Sequence, residues 1–383
     1  MKKISVLTLI NMNPNKMGAL EEYALFLSRE LIKQGHFAAA AFRELPPDWL
    51  MDRFKFDDIQ VLKMDHTKGS VNFTSQVRSA IKKYGFNILH ATFYPVYDWP
   101  LAAATVGTGC RLIYSDQISR TGHPVRGLPS IPRFIKNRLL LIRIHSIIAD
   151  AQYVRQCQIE DFFTKPEKIP VIYNGVNLER FGGMDDEVRA RFRRELGVDP
   201  EARIVLTVAQ CIWEKGINHL VDAAKIVVAS YPDTRFFVVG EGPQRPDFER
   251  QAAELGLQEY FIFTGKRVDT ELFLAVADIF VLISVWEEAF AFSLLEAMAS
   301  GCPVVASRTG AIPESVLDKE TGLLVPPGNA EATAVALMKL LEDDPLRKRM
   351  GQKGRDRVEK HFSLKQWVDK TIDLYFKALQ EQS

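Results

Sequence analysis

The chain has 383 residues, 47% hydrophobic and 25% charged, an ordinary globular composition whose length points to two domains. Lys plus Arg number 49 and Asp plus Glu 48, a net charge of +1, so no overall field draws it to nucleic acid or membrane. The four cysteines, Cys110, Cys157, Cys211 and Cys302, form no Cys-x-x-Cys pair; zinc and disulfide frameworks read poorly, and a reducing cytoplasm suits them better.

The opening MKKISVLTLINMNPNK resembles a signal peptide in its two lysines. Its apolar core is short and no small-residue cleavage pattern follows, so a first buried strand at 4–10 is the better reading. No run reaches the ~18 apolar residues of a membrane span. Further strands are expected at 37–42, 87–91, 111–115 and 145–149, then at 203–209, 235–239, 260–264, 279–283, 303–307 and 322–325. Several, such as IVLTVA and IFVLI, are continuously apolar, as parallel strands buried on both faces are. Amphipathic helices fall between them: Ile217, Leu220, Val221 and Ala224 form one stripe, and a similar one recurs at 71–84. Alternating strands and helices imply an α/β chain of two doubly wound units. The break falls near 174–200, where a turn-rich NGVNLERFGG precedes a charged helix. A last helix at 363–379 carries Trp367, Ile372, Tyr375 and Phe376 on one face. Such sheets bind ligands beyond the carboxyl ends of their strands.

The segment SVWEEAFAFSLLEAMASGCPVVAS holds Glu288 and Glu296. Two readings stand side by side. Ser293 and Glu296 have capping-box spacing, with Glu288 an ordinary loop acid; alternatively both carboxylates accept from the neighbouring hydroxyls of a sugar or ribose. Lys215 and Gly216 follow a strand and open a helix, which makes either a surface turn or an anion site reinforced by helix N–H groups. Gly18 ends the loop before a helix of Glu21, Tyr23, Leu27 and Leu31, where backbone can approach a phosphate or simply turn. Gly240 to Pro243 reads as a turn, no P-loop is present, and no two aspartates stand one residue apart. The histidines include no zinc-like pair. His90 closes a strand, as a structural hydrogen-bonding group or a ligand contact. Asn174 and Gly175 suit a linker turn.

Taken together, these residues resemble the family 4 retaining glycosyltransferases of the GT-B fold. The match is carried by GALEEYALFLSRELIKQGH, NILHAT and IPVIYNGVN, then VAQCIWEKG, VVGEGP, FTGKRVD, EEAFAFSLLEAMASGCPVVAS, TGAIPE and TGLLVPPG. The resemblance implies an acceptor-side Rossmann-like domain at 1–178 and a nucleotide-sugar domain at 179–362 facing it across a cleft. A helix at 363–383 would pack back on the first domain. It implies Lys215 and Glu288 as the catalytic pair, Glu288 on the transferred sugar, Glu296 on ribose, Lys215 on diphosphate and the Gly18 loop facing phosphate. Backbone near Lys266 and Arg267 would meet the base. Gln210, Ala289, Phe290, Ala291 and Phe292 complete the donor set, and His90 and Gln117 are the first-domain sugar or acceptor contacts.

Departures from the family pattern are Ala209 and Gln210 where glycine-arginine is common, with Arg308 a possible substitute cation, Ala291 in place of a turn glycine, Ala19 after Gly18, and Gln117 where a histidine is frequent. The resemblance implies no metal or other cofactor. It implies a nucleotide diphosphate sugar as donor (UDP favoured, GDP next) and an envelope polysaccharide, lipid-linked or other glycan acceptor. A sugar-nucleotide epimerase or hydrolase and a non-catalytic sugar-nucleotide-binding homologue remain the alternatives.

Residues 119–147 contain no Asp or Glu but hold Arg120, Arg126, Arg133, Lys136, Arg138 and Arg143. Ile131, Phe134, Ile135, Leu139 and Ile142 are interleaved with them. This segment is either a core-packed helix with a basic outer face or a surface for anionic lipid. The expected location is the cytoplasm, with peripheral contact at the inner face of the membrane.

Overall fold

The computed structural model describes residues 3–97, 99–117 and 131–381, with side chains omitted at 68 and 131–136. It divides into two compact units. One holds the chain up to Tyr173 and takes it up again from Lys365; the other holds Asn174–Leu364.

The first unit is built on a parallel sheet of β1 (Ser5–Ile10), β2 (Phe37–Phe42), β3 (Gln60–Lys63), β4 (Ile88–Thr92), β5 (Arg111–Asp116) and β6 (Ile144–Ala149). Their order across the sheet is β3-β2-β1-β4-β5-β6. In the second unit β7 (Arg203–Val208), β8 (Thr234–Val239), β9 (Phe261–Gly265), β10 (Ile279–Leu282), β11 (Val304–Ser307) and β12 (Gly322–Val325) take the order β12-β11-β10-β7-β8-β9. All pairings are parallel. Strand order reverses between β1 and β4 in one unit and between β7 and β10 in the other, and a crevice opens at such switch points.

The continuously apolar strands are buried on both faces. All four residues of β10 are within 2% of full burial, each contributing about 1.5–3 kcal/mol of transfer free energy. The expected helix stripes point inward: Ile217, Leu220, Val221 and Ala224 join the core of the second unit, and Phe73, Val77 and Ile81 join that of the first. The last helix, Leu364–Gln380, belongs to the first unit, where Trp367 stacks on Tyr23 with ring centroids 3.8 Å apart.

The strand β3 escapes a reading of the sequence. It is four residues long at the sheet edge, Gln60 and Lys63 are exposed, and only Val61 and Leu62 are half-buried. An edge strand covered on one side offers neither a long apolar run nor a clear alternation.

Candidate active site

Lys215 follows β7. The chain leaves that strand at Ala209, forms a 3-10 turn at Trp213–Lys215, and enters the helix Ile217–Ser230 through Gly216 at φ +69°. A Cβ on Gly216 would lie 2.1 Å from the Ile283 carbonyl oxygen. Only glycine tolerates both the left-handed backbone and that approach, and the approach sets Lys215 beside the end of β10.

Glu288 follows β10. The Glu214 carbonyl accepts from the Val285 amide at 2.9 Å, and the Glu288 carbonyl accepts from the Ala311 amide at 2.9 Å. Gly310, at φ +51°, lies under Glu288, where a Cβ would stand 2.3 Å from its oxygen. The carboxylate is 5% exposed, and Lys215 Nζ donates to its Oε1 at 2.6 Å. Ser284 Oγ donates to the same oxygen, and Ser307 Oγ holds the Ser284 carbonyl at 2.7 Å. A buried carboxylate is tolerated when charge-paired and hydrogen-bonded, and this one is both. The pair stands after β7 and β10, the two strands that flank the switch point.

Glu296 lies half-buried in the helix Phe292–Ala299. The Ser293–Glu296 capping box does not form. The cap residue is Ala291 and Ser293 is already helical, because Phe290, packed edge-on against Phe362 at 5.4 Å, anchors the chain one residue before that cap. Ala291 has φ −76°, so the missing turn glycine costs no backbone strain. Ala289 and Phe290 are buried, whereas Ala291 and Phe292 are half-exposed.

Gln210 is exposed after β7. The turn Gly240–Pro243 packs backbone to backbone on this loop: a Cβ on Gly240 would lie 1.9 Å from the Ala209 oxygen and one on Gly242 2.3 Å from the Cys211 oxygen. Lys266 and Arg267 are exposed beyond β9. The Arg267 guanidinium donates to both oxygens of Asp269 at 2.9 and 2.7 Å and holds that carboxyl below the usual range. Arg308 is engaged by Asp318 at 2.6 Å.

Gly18, His90 and Gln117 belong to the first unit. The Gly18 amide donates to Glu21 Oε2 at 3.1 Å, so a local carboxylate occupies the group that the resemblance assigns to phosphate. His90 has no exposed surface; its Nδ1 lies 2.6 Å from Tyr375 Oη and its Nε2 2.7 Å from Ser115 Oγ. Burial lowers its pKa to about 3. That is the structural alternative for this residue, and it closes the ring to a sugar. Gln117 is buried at the end of β5.

Ser284 and Gly310 are the site residues that sequence reasoning missed. The signal for Gly310 was present in the TGAIPE motif; Ser284 had none beyond its four-residue spacing from Glu288. Among the described residues no group of three His, Cys, Asp or Glu could hold a metal ion.

Of the basic segment, residues 119–130 and the side chains of Ile131, Arg133, Phe134, Ile135 and Lys136 lie outside the described residues. In the rest of the helix Ile131–Arg143, Leu139 is 61% and Ile142 74% exposed, with Arg138 and Arg143 exposed beside them. The buried face is Asn137 and Leu141, so core packing does not account for Leu139 and Ile142. No helix among the described residues is long and apolar enough to cross a membrane.

The model of the group 1 glycosyl transferases matches residues 188–357, and that of Glycosyltransferase Family 4 matches residues 20–180. The D-inositol 3-phosphate glycosyltransferase of Corynebacterium glutamicum is 28% identical over 305 residues, 75% of this chain and 70% of its own. The GDP-mannose-dependent alpha-(1-6)-phosphatidylinositol monomannoside mannosyltransferase of Mycolicibacterium smegmatis is 33% identical over 205 residues, 51% of this chain and 52% of that relative. The solved structure of Anabaena Alr3699/HepE in complex with UDP superimposes with a TM-score of 0.79 over 98% of this chain and 100% of that one, at 19% identity.

Proposed function

From the premise that this chain belongs to the group 1, family 4 glycosyltransferases with their GT-B architecture, we propose that it moves a sugar from a nucleotide diphosphate sugar to a glycan or lipid-linked acceptor of the cell envelope, with retention and without a metal. The observation that carries this reading is the Lys215–Glu288 contact of 2.6 Å at the β7/β10 switch point. UDP is the favoured nucleotide, supported by the fold shared with the Anabaena UDP complex; the GDP-mannose dependence in the name of the Mycolicibacterium relative makes GDP the next choice.

In this mechanism the bond between the sugar anomeric carbon and the phosphate oxygen breaks. Charge grows on the leaving diphosphate, and Lys215 together with the N-terminal amides of the helix Ile217–Ser230 meets it. Gln210 adds a neutral donor. Glu288, already holding Lys215, accepts hydroxyls of the transferred sugar, and Glu296 accepts those of ribose. The acceptor hydroxyl attacks from the leaving-group side and its proton passes to the departing phosphate oxygen, so no protein nucleophile is used. The helix bearing Leu139, Ile142, Arg138 and Arg143 rests on an anionic membrane surface, and the enzyme works at the cytoplasmic face; the exposed Leu139 and Ile142 beside two arginines support this reading.

Thermal shift with UDP, GDP, ADP and their sugars tests the donor. Ligand at a hundred times its dissociation constant adds ~2.7 kcal/mol, and no shift with any nucleotide would overturn the reading. Product formed without acceptor would make the protein an epimerase or hydrolase; binding without turnover would make it a non-catalytic homologue. Transfer that survives EDTA, with the donor's anomeric configuration kept in the product, is the expected result.

A further inference from the structure

Two tryptophans stand exposed at the rim of the candidate site, Trp213 at 47% and Trp286 at 38%. They lie two residues before Lys215 and two before Glu288. One backbone junction carries both, because the Glu214 carbonyl accepts from the Val285 amide at 2.9 Å and from the Trp286 amide at 3.4 Å. The junction that brings Lys215 to Glu288 therefore also brings the backbone at Trp213 and Trp286 together. Trp213 is braced from below, edge-on against the buried Phe248 at 4.9 Å, and nothing in the transfer mechanism uses either ring.

We propose that Trp213 and Trp286 form a stacking platform for the acceptor, and that the acceptor part bound there is a neutral pyranose or cyclitol ring. This rests on the glycosyltransferase reading above. An indole face matches the apolar C–H face of such a ring, while its edge hydroxyls need carboxylate or amide acceptors. Glu214 and Glu287 flank the two indoles in sequence and are only half-buried. Carboxylates in that position oppose an anionic lipid surface or a second diphosphate. The donor sugar is already assigned to Glu288, so the ring left for the platform is the acceptor's.

The test uses the full chain, with and without saturating UDP, on an array of immobilised oligosaccharides. Variants are Trp213→Ala, Trp286→Ala and Trp286→Phe. The expected result is glycan retention that falls about tenfold in Trp286→Ala, the order of one aromatic stacking contact, and is kept in Trp286→Phe. The UDP thermal shift stays unchanged in both Trp286 variants. Trp213 braces the fold and its alanine variant could fail to fold, so Trp286→Ala and Trp286→Phe carry the decision. Retention unaffected in Trp286→Ala, or no glycan retained by the unmodified chain in either arm, overturns the platform. Loss of the UDP shift in the unmodified chain instead overturns the donor reading and leaves the nucleotide-free glycan arm to judge the platform.

Discussion

Lys215 Nζ and Glu288 Oε1 are 2.6 Å apart, and the carboxylate of this pair is almost wholly buried. The two residues are separated by 73 positions in the chain and meet because β7 and β10 are neighbours in the sheet. Ser284 Oγ holds the same carboxylate oxygen, so the fold itself fixes the pair. An incoming diphosphate would share a lysine that is already in place rather than recruit one from solvent.

Replacing Lys215 with Met leaves the Glu288 carboxylate buried with Ser284 but no cation. Removing one partner of a buried pair costs about 3–5 kcal/mol, and the upper end is relieved here because Lys215 is partly exposed. Transfer should fall by about 10²–10³, the usual loss for one transition-state donor. Glu288→Gln is milder for folding, since it strands only the more exposed partner, yet it should lower transfer by a comparable factor. Denaturation and initial rates on the two variants check both parts; unchanged transfer in Glu288→Gln would remove that residue from the sugar site.

Gly310→Ala probes the backbone under Glu288. The new Cβ would sit 2.3 Å from the Glu288 oxygen and 2.6 Å from its nitrogen, in a residue at φ +51°. Left-handed backbone costs alanine about 1–2 kcal/mol, and the overlap must also push Glu288. Displacing a positioning group by about 1 Å costs on the order of 10² in rate. Gly328→Ala is the control. It carries the same backbone penalty at φ +68°, but its nearest neighbour is His219 at 3.5 Å. Expected kinetics show a large loss of kcat/KM in the first variant and a near-normal value in the second; equal losses would mean that strain alone is being read.

The sheets were legible because most strands are sandwiched between helices and leave long apolar runs, as Ile279–Leu282 does. The edge strand Gln60–Lys63 was not, since one side of it has no neighbour to bury. The site was legible as residue types at strand ends, where Lys215 and Glu288 stand. Their contact depends on sheet order, which pairs β7 with β10 across intervening chain and which no local pattern encodes. The capping-box spacing at Ser293 misled for a related reason. A tertiary anchor, Phe290 on Phe362, decides where that helix starts, and spacing carries no information about it.

The exposed pair Leu139 and Ile142 gives the membrane hypothesis a specific test. Co-sedimentation with vesicles containing anionic phospholipid should exceed that with purely zwitterionic vesicles, and rising salt should weaken it as surface charge is screened. Leu139→Ser with Ile142→Ser removes two apolar contacts without touching a buried side chain, so binding should drop while thermal stability holds. Binding that ignores both lipid charge and these substitutions would sink the hypothesis.

His90 predicts an acid-sensitive first unit. Its pKa is lowered to about 3 by burial, against an ordinary value of 6.5. Above pH 6.5 the ring is neutral in folded and unfolded chains alike, and stability does not depend on it. As pH falls below 6.5 the unfolded chain binds a proton that the folded chain refuses, so stability declines by up to ~1.4 kcal/mol per pH unit until the folded value is reached. A neutral ring satisfies both contacts, one nitrogen accepting and the other donating, with Tyr375 at 2.6 Å and Ser115 at 2.7 Å. Burial also raises the Tyr375 hydroxyl well above its usual range, so it stays protonated throughout. Burial lowers His36 and His145 as well, so the wild-type slope sums several groups and the informative quantity is a difference. His90→Gln should be less stable at pH 7.5, by about 1–3 kcal/mol for the disturbed buried contacts. It should lose less stability than wild type between pH 6.5 and 5, where the His90 share amounts to ~2 kcal/mol. Denaturant titrations of both proteins across that window measure the two slopes, and parallel slopes would show that His90 is not held neutral in the folded chain.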